Sequence, residues 1–401
     1  MACVCLFISG LCLSNTSGAI EPDLSNWQTL EKQASGQTVY FNAWGGETRI
    51  NRYLVWASKR VKTLYNIDLR HVKITDTAQA VSRIIAEKQA GNSERGAIDL
   101  LWINGENFSA LKQNALLYGP WAEVQPNFSL VDADRFPEMR EDFTIATEGF
   151  ESPWTRSQLV FYYDSDVVTN APGSIKELLQ WAQDHPSEFT YPRPPSFLGS
   201  TFLKQALLEL AQSSEPLYRH VEESDFALVT APLWKYLDAL HPHLLRSGRY
   251  FPLGSADLRR FMGDGETSLA FSFNPNEASL GILNGELPES VRSYVLDGGT
   301  LDNVSFLAIP FNAQHKAAAI VVSNFLLSAE AQARGSNQEY MGSTSVLSMQ
   351  KLSSEFQQLF LGTAKNLAAA SAEDLDRKIL EPHPSWTTAL ERAWIQRYGA
   401  R

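Results

Sequence analysis

Cysteine is confined to Cys3, Cys5 and Cys12, and none follows in the rest of the 401-residue chain. If the N-terminal segment is removed, the remaining chain has no disulfide, no thiolate nucleophile and no cysteine-held metal. A core of about 380 residues does not depend on disulfide staples, so their absence suits an exported protein as well as a cytosolic one. Basic residues are also in deficit: Lys and Arg number 34 against 45 Asp and Glu, a formal net charge of -11. A surface this acidic repels phosphate backbones and excludes a general nucleic-acid binder. No apolar run reaches the roughly 18 to 20 residues that cross a bilayer. Gly-x-Ser-x-Gly, His-Glu-x-x-His, a phosphate-binding loop and an EF-hand loop are all missing, which removes the commonest hydrolase, metalloprotease, nucleotide and calcium signatures. No internal repeat, low-complexity tract or Gly/Ser linker divides the chain. With 44% hydrophobic and 20% charged residues the composition is globular, and the length predicts two or three folded units.

The first twenty residues carry no charged side chain. Val4 to Leu13 is an apolar stretch of signal-peptide length, and Ser17-Gly18-Ala19 supplies the small residues of a cleavage site. Residues 1–19 are therefore expected to be an export signal cleaved near Ala19, although no Lys or Arg precedes the apolar core. The alternative is a buried N-terminal strand. Cys12 as a lipid-attachment site is disfavoured, because Leu11 stands where a small residue is required.

Downstream the pattern alternates. Gln37 to Trp44 is β-branched and aromatic and runs into Gly45-Gly46, so it reads as a strand and turn. Thr48 is a candidate N-cap for a helix whose buried stripe is Ile50, Leu54, Ala57, Val61 and Leu64. Ile67 to Ile74 reads as a strand, and Asp76 or Thr77 caps a helix that stops at Gly91. Ala97 to Ile103 is a nearly continuous apolar run, as in a strand covered on both faces. This succession predicts a parallel α/β sheet with right-handed crossovers. A second unit begins after Pro153, with a strand over Gln158 to Asp164 and a helix capped by Ser174. The irregular YPRPPSFLG segment delivers a helix started by Ser200 or Thr201, and a buried strand follows over Ser268 to Phe273. Phe306 to Pro310 is a further strand, leading into one long helix marked by Ala318, Val321, Val322, Phe325 and Ala329. The chain ends in helices carrying Leu352, Phe356 and Leu359, then Trp386, Leu390 and Trp394.

Three motifs invite a catalytic or metal reading and are better explained otherwise. Gly263-Asp264-Gly265 lacks the third glycine and the following helix of a dinucleotide turn. His241-Pro242-His243 has no third ligand and reads as a solvated loop. Asp164 and Asp166 share one face at a strand end, as transfer chemistry on a metal-bound sugar nucleotide would need, but turn and capping chemistry explains them more simply.

The order of segments resembles the type II periplasmic solute-binding proteins that feed ABC importers. The resemblance covers most of the mature chain. It rests on PWTRSQLVFYYDSDVV, on GSIKELLQWAQDHP, on YPRPPSFLGSTFLKQAL and on FLAIPFNAQHKAAAIVVSNFLLSAEAQAR, which stand in the family's order. Within the family the chain is most similar to the YnjB-like branch, related to thiamine, polyamine and iron binders. The resemblance implies two lobes, each a mostly parallel sheet flanked by helices and joined by hinge strands. Lobe I would comprise residues 20–155 and 300–345, lobe II residues 156–299, and residues 346–401 a helical segment packed on both. It also implies a monomer that closes on a solute and delivers it to a permease and its ATPase, in the periplasm, without cofactor, metal or turnover.

Open α/β sheets bind ligands at the carboxyl ends of their strands. On that reading the cleft is lined by Trp44, Gly45, Gly46 and Glu47, by Asn104, Gly105, Glu106 and Asn107, and by Trp154 and Arg156 at the crossover. Phe197, Ser200 and Thr201 at a helix start, with Asn274, Asn276 and Glu277, complete it. Glu47, Glu106 and Glu277 beside Trp44, Trp154 and Phe197 favour an organic cation, thiamine-like or polyamine-like. Arg49, Arg156 and the helix start at Ser200 argue toward an anionic group, and a zwitterion would use both. Tyr162-Tyr163 resembles the paired tyrosines of ferric-ion binders, but neighbours on a strand face opposite sides. The competing expectations are a secreted α/β enzyme acting on sugars or phosphoesters, and a non-catalytic adhesion or scaffold module.

Overall fold

The alternation in TVYFNAW buries Val39, Phe41 and Ala43 completely, and that segment is the centre of the larger sheet. The computed structural model of the protein describes residues 21–360 and 368–399; the expected leader and its three cysteines lie outside them. In chain order the first unit comprises α1 (Trp27–Ala34), β1 (Thr38–Trp44), α2 (Thr48–Tyr65), β2 (Asp68–Ile74), α3 (Thr77–Gln89), β3 (Leu100–Ile103) and α4 (Gly105–Gln113). A hairpin of β4 (Glu141–Asp142) and β5 (Ile145–Ala146) precedes β6 (Glu151–Gln158), which passes through Leu159 into β7 (Val160–Asp164). The second unit adds α5 (Ile175–Asp184), α6 (Phe197–Leu210), α7 (Phe226–Leu240), α8 (Ser255–Gly263), β8 (Leu269–Ser272), α9 (Glu277–Leu283) and β9 (Val291–Tyr294). Then β10 (Thr300–Ala308) returns to the first sheet. It is followed by α10 (Lys316–Leu326), α11 (Ala329–Ser336), α12 (Ser354–Gln358), α13 (Ala372–Leu375), β11 (Lys378–Leu380) and α14 (Pro384–Tyr398).

The larger sheet has the order β11-β10-β3-β1-β2, with β6 along the other edge of β10. β1 is parallel to β2 and β3, as expected of strands joined by helices, whereas β10 is antiparallel to β3 and β6. The smaller sheet, β8-β7-β9, is antiparallel throughout. This corrects the expectation of a mostly parallel sheet in each lobe. The physical reason is the path of the chain: β7 leads away from the crossing and β9 leads back toward β10, so the two must oppose. Two apolar clusters cover the faces of the larger sheet, and a third fills the smaller unit.

Several local expectations shift. The N-cap of α2 is Glu47, one residue before Thr48, and the N-cap of α6 is Ser196, whose side chain accepts from the Gly199 amide. The helix expected over 318–329 breaks at Leu327, and Ser328 caps a separate α11. Phe356 and Leu359 are exposed on or beside the short α12 rather than forming a buried stripe. The C-terminal segment also contains β11, which pairs with β10. His241 is buried and hydrogen-bonded to Tyr191 at 2.7 Å, not solvated.

The crossing strands are firmly knitted. Leu159 N–H donates to Leu301 O at 2.8 Å, Leu301 N–H donates to Gln205 Oε1 at 3.0 Å, and Gln158 Nε2 donates to Arg377 O at 2.9 Å. The C-terminal helix α14 contributes Trp386, Leu390, Trp394 and Tyr398 to the core of the smaller unit while also contacting α4 of the larger one.

Candidate functional site

Three strands of the larger sheet end side by side, each followed by a helix. β1 ends in Trp44 and Gly45, whose amide donates to Ile74 O at 3.0 Å, so the turn after β1 lies beside the turn after β2. The Trp44 indole covers Gly46 so closely that an added Cβ would stand 2.8 Å from it, and only glycine fits beneath the ring. Glu47 then caps α2 by accepting from the Arg49 amide, and Asp76 caps α3 by accepting from Ala78 N–H at 2.8 Å. After β3, Gly105 adopts φ +59°, its amide donates to both Asp142 carboxylate oxygens at 2.7 and 2.8 Å, and the Phe143 ring fills the space a side chain would need. This places Glu106 in the first turn of α4, where Asn107 Nδ2 donates to it at 3.1 Å. The Asn104 side chain makes no cap hydrogen bond.

Opposite these turns stand α6 and α14. Lys204 is buried in the apolar helix α6; its Nζ is 2.6 Å from Glu381 and 4.4 Å from the centre of the Phe143 ring. Around it gather Glu106, Asp142 and Glu391, with Asp76 also within electrostatic reach of Glu106 and Glu391. Burial raises the Glu106 carboxyl, and Lys204 only partly offsets it. Burial likewise raises Asp142 and Glu381, the latter relieved by Lys204 and Asn303. Glu391, a partly buried carboxyl that accepts from Ser200 Oγ, is pushed up to about 7, chiefly by burial and secondarily by Glu106. One lysine already committed to Glu381 thus faces an excess of carboxylates.

A second charged group joins the two units at the other side of the turns. Arg259 on α8 pairs with Glu277, with Glu286 at 2.6 Å, and across to Glu47 at 3.4 Å. The other Glu47 oxygen faces Arg49 Nε at 3.4 Å. Arg49 is 5% exposed, and its Nε and Nη1 have no hydrogen-bond acceptor. Nearby, Asn276 Nδ2 donates to Gly342 O at 2.6 Å, and Asn274 Nδ2 approaches Met341 O at 3.4 Å.

The sequence-derived residues therefore separate into groups. Trp44, Gly45, Gly46, Glu47, Asn104, Gly105 and Glu106 share one rim. Glu277 faces it through Arg259, and Ser200 through Glu391. Asn274 and Asn276 are spent on the 338–342 loop. Phe197 is 41% exposed and packs edge-to-face on Phe273. Trp154 does not belong to the rim: it is 1% exposed among Phe41, Tyr53 and Trp102 in the core. Arg156 sits in β6, tied to Asp302 at 3.0 Å and stacked over Phe136 at 4.1 Å, where it braces the crossing. Ser200 is not a helix start, since α6 begins a turn earlier, and the Thr201 hydroxyl donates back to Phe197 O within its own helix. Tyr162 is fully buried while Tyr163 packs on Tyr294, so the pair does not converge. Asp164 accepts from the Asp166 amide at 3.0 Å, which is turn chemistry. No group of three or more potential metal ligands occurs among the described residues.

Lys204, Asp142, Glu381, Glu391 and Arg259 were not among the sequence candidates. Lys204 carried a readable signal, being the only charge from Leu198 to Leu208 in an otherwise apolar helix. A charge buried on such a helix requires partners. The acids that supply them lie far along the chain and have no local pattern.

Residues 56–359 match the family model described as bacterial extracellular solute-binding protein. The chain is 45% identical to protein YnjB of Escherichia coli over 375 residues, 94% of each sequence. Its fold is similar to a putative spermidine/putrescine ABC transporter from Listeria monocytogenes (TM-score 0.65, 14% identity, 90% of this chain and 98% of that one). It is also similar to the TpPotD lipoprotein of Treponema pallidum (0.66, 14%, 91% and 100%) and to the periplasmic binding protein AfuA of Actinobacillus pleuropneumoniae (0.62, 16%, 92% and 100%). The structural neighbours share the two-lobed binding-protein fold, and the family match, to a solute-binding family, speaks against the expectation of a secreted enzyme acting on sugars or phosphoesters. The chain belongs to the bacterial extracellular solute-binding protein family, the exported solute-binding components of ABC transporters.

Proposed function

We propose that the protein captures a small organic cation, thiamine-like or polyamine-like, between its two lobes and hands it to a membrane permease driven by an ATPase. The observation that carries this reading is the imbalance of charge at the strand ends. Glu106, Asp142 and Glu391 gather around a single lysine that Glu381 already engages, and Asp76 adds a further carboxylate within electrostatic reach of Glu106 and Glu391. Desolvated carboxylates without counter-charge are costly, and a bound cation supplies what the chain does not. Trp44 and Phe197 offer aromatic faces for the same charge. Structural neighbours named as spermidine/putrescine transporters accord with this sign of ligand.

In this reading the lobes divide near residues 156 and 299, and 346–401 braces both. The Glu47–Arg259 contact at 3.4 Å links the two lobes across the cleft in this reading. The mature protein acts as a monomer in the periplasm after removal of residues 1–19. Differential affinity for the closed arrangement is what the permease senses.

Differential scanning fluorimetry against polyamines, thiamine, amino acids, neutral sugars and phosphate esters tests the proposal. A cation at about a hundred times its Kd adds about 2.7 kcal/mol of stability, a shift of several degrees. Cations are expected to produce that shift, and Glu391→Gln is expected to shrink it. A panel in which only neutral sugars stabilise the protein refutes the cationic reading.

A further inference from the structure

Arg49 is an under-used buried cation at the head of α2. Its guanidinium can donate five hydrogen bonds in a planar fork. It is 5% exposed, yet Nε and Nη1 find no acceptor, and its ion-pair contact is the 3.4 Å approach to one oxygen of Glu47. That carboxylate is itself shared, its other oxygen reaching Arg259 from the opposite lobe at 3.4 Å. Arg259, by contrast, faces Glu47, Glu277 and Glu286 together and is fully served. Buried charged donors left without acceptors are destabilising, and the packing here holds one where the two lobes meet.

The backbone around it has the same polarity. Arg49 lies in the first turn of α2, an 18-residue helix whose dipole favours negative charge and whose leading amides lack partners within the helix, the Arg49 amide alone reaching the capping Glu47 side chain, at a long 3.4 Å. Neighbouring strands of a sheet run about 4.8 Å apart. The head of α2 after β1 and the head of α4 after β3, which carries Glu106, are therefore within the span of one small solute.

Resting on the cationic reading above, we infer that the solute also carries an acidic oxygen group, a carboxylate or phosphate, received by the Arg49 guanidinium and the head of α2 while its cationic end faces Glu106 and Glu391. The protein would then select zwitterionic solutes over simple cations. Arg49 is a specificity residue in this scheme, because the fork matches two oxygens of one acidic group, and removing it leaves the cation's partners in place.

Calorimetric titration of the purified protein with two matched probe pairs tests the inference: putrescine against 4-aminobutyrate, and thiamine against thiamine monophosphate. Inorganic phosphate serves as the anion alone. In at least one pair the anion-bearing member is expected to bind tenfold or more tightly than its partner. Arg49→Ala, and the length-conserving Arg49→Gln as a second variant, should bring the two members level without weakening the simple cation. Equal binding within both pairs by the wild type overturns the inference and leaves the cationic reading standing. Equal weakening of both members by both variants also overturns it, since that marks Arg49 as structural. If phosphate alone binds through Arg49 and neither cationic group adds affinity, the inference about Arg49 stands and the cationic reading falls. If no probe binds, both fall.

Discussion

Glu391→Gln probes the acidic site with little disturbance, because the amide keeps an oxygen to accept from Ser200. Burial lifts the Glu391 carboxyl from the ordinary 4.5 to about 7. At about 1.4 kcal/mol per tenfold change, holding it charged in the folded protein costs about 3 kcal/mol, reduced to about 1–2 kcal/mol because the group is only partly buried. The sign follows from proton linkage: the folded state binds this proton more tightly than the unfolded chain. The stabilising contribution of the protonated form is thus complete below 4.5, is lost as pH rises toward 7, and changes no further above it. The variant should therefore be more stable than the wild type by about 1–2 kcal/mol at pH 8, with most of the gain gone by pH 5. Urea denaturation at both pH values, with equal m-values, measures this. A cation bound beside Glu391 pulls its carboxyl back down, so binding near pH 7 should release a proton, read as a dependence of the calorimetric heat on buffer ionisation. A variant no more stable at pH 8, or equally stabilised at both pH values, refutes the reasoning.

Lys204→Met removes the cation shared by Glu106, Asp142, Glu381 and Glu391, and should destabilise the fold by about 3–5 kcal/mol at pH 8 and by less at pH 5, where those raised carboxyls take up protons. An equal loss at both pH values by denaturation would show that the lysine acts through packing alone. Trp154→Ala should cost about 3–5 kcal/mol as a core truncation while leaving the affinity of the folded fraction for a cationic solute within twofold; a tenfold loss in titration would return Trp154 to the ligand face. Gly105→Ala forces a Cβ into the Phe143 ring at an unfavourable φ and should lower the thermal midpoint by several degrees, whereas an unchanged midpoint would show that the α4 turn is tolerant.

Much of the larger sheet was legible because its strands and helices obey local periodicity. Val39, Phe41 and Ala43 alternate, Asp76 and Ser174 cap as their chemistry requires, and Leu100 to Ile103 form an apolar run without interruption. The glycine turns after β1 and β3 were legible for the same reason. What local pattern could not supply was long-range pairing. The antiparallel smaller sheet depends on which strand neighbours β7, and β11 is three residues stitched to a strand almost eighty positions earlier. The acids around Lys204 come from α4, the β4–β5 hairpin, the end of β11 and α14, so no spacing rule groups them. Trp154 and Arg156 show the same limit, because an aromatic and a cation on a crossover strand look the same in sequence whether they face solute or core; the structure buries both side chains.

The direct test of solute capture between the lobes is a distance across them. The chain from residue 21 onward has no cysteine, so nitroxide labels at Val55→Cys on α2 and Leu253→Cys before α8, both exposed, report one separation by pulsed electron resonance. A saturating cationic solute is expected to shorten and narrow that distance distribution while a neutral sugar leaves it unchanged; an identical distribution with and without a cation that calorimetry shows to be bound would contradict capture by closure.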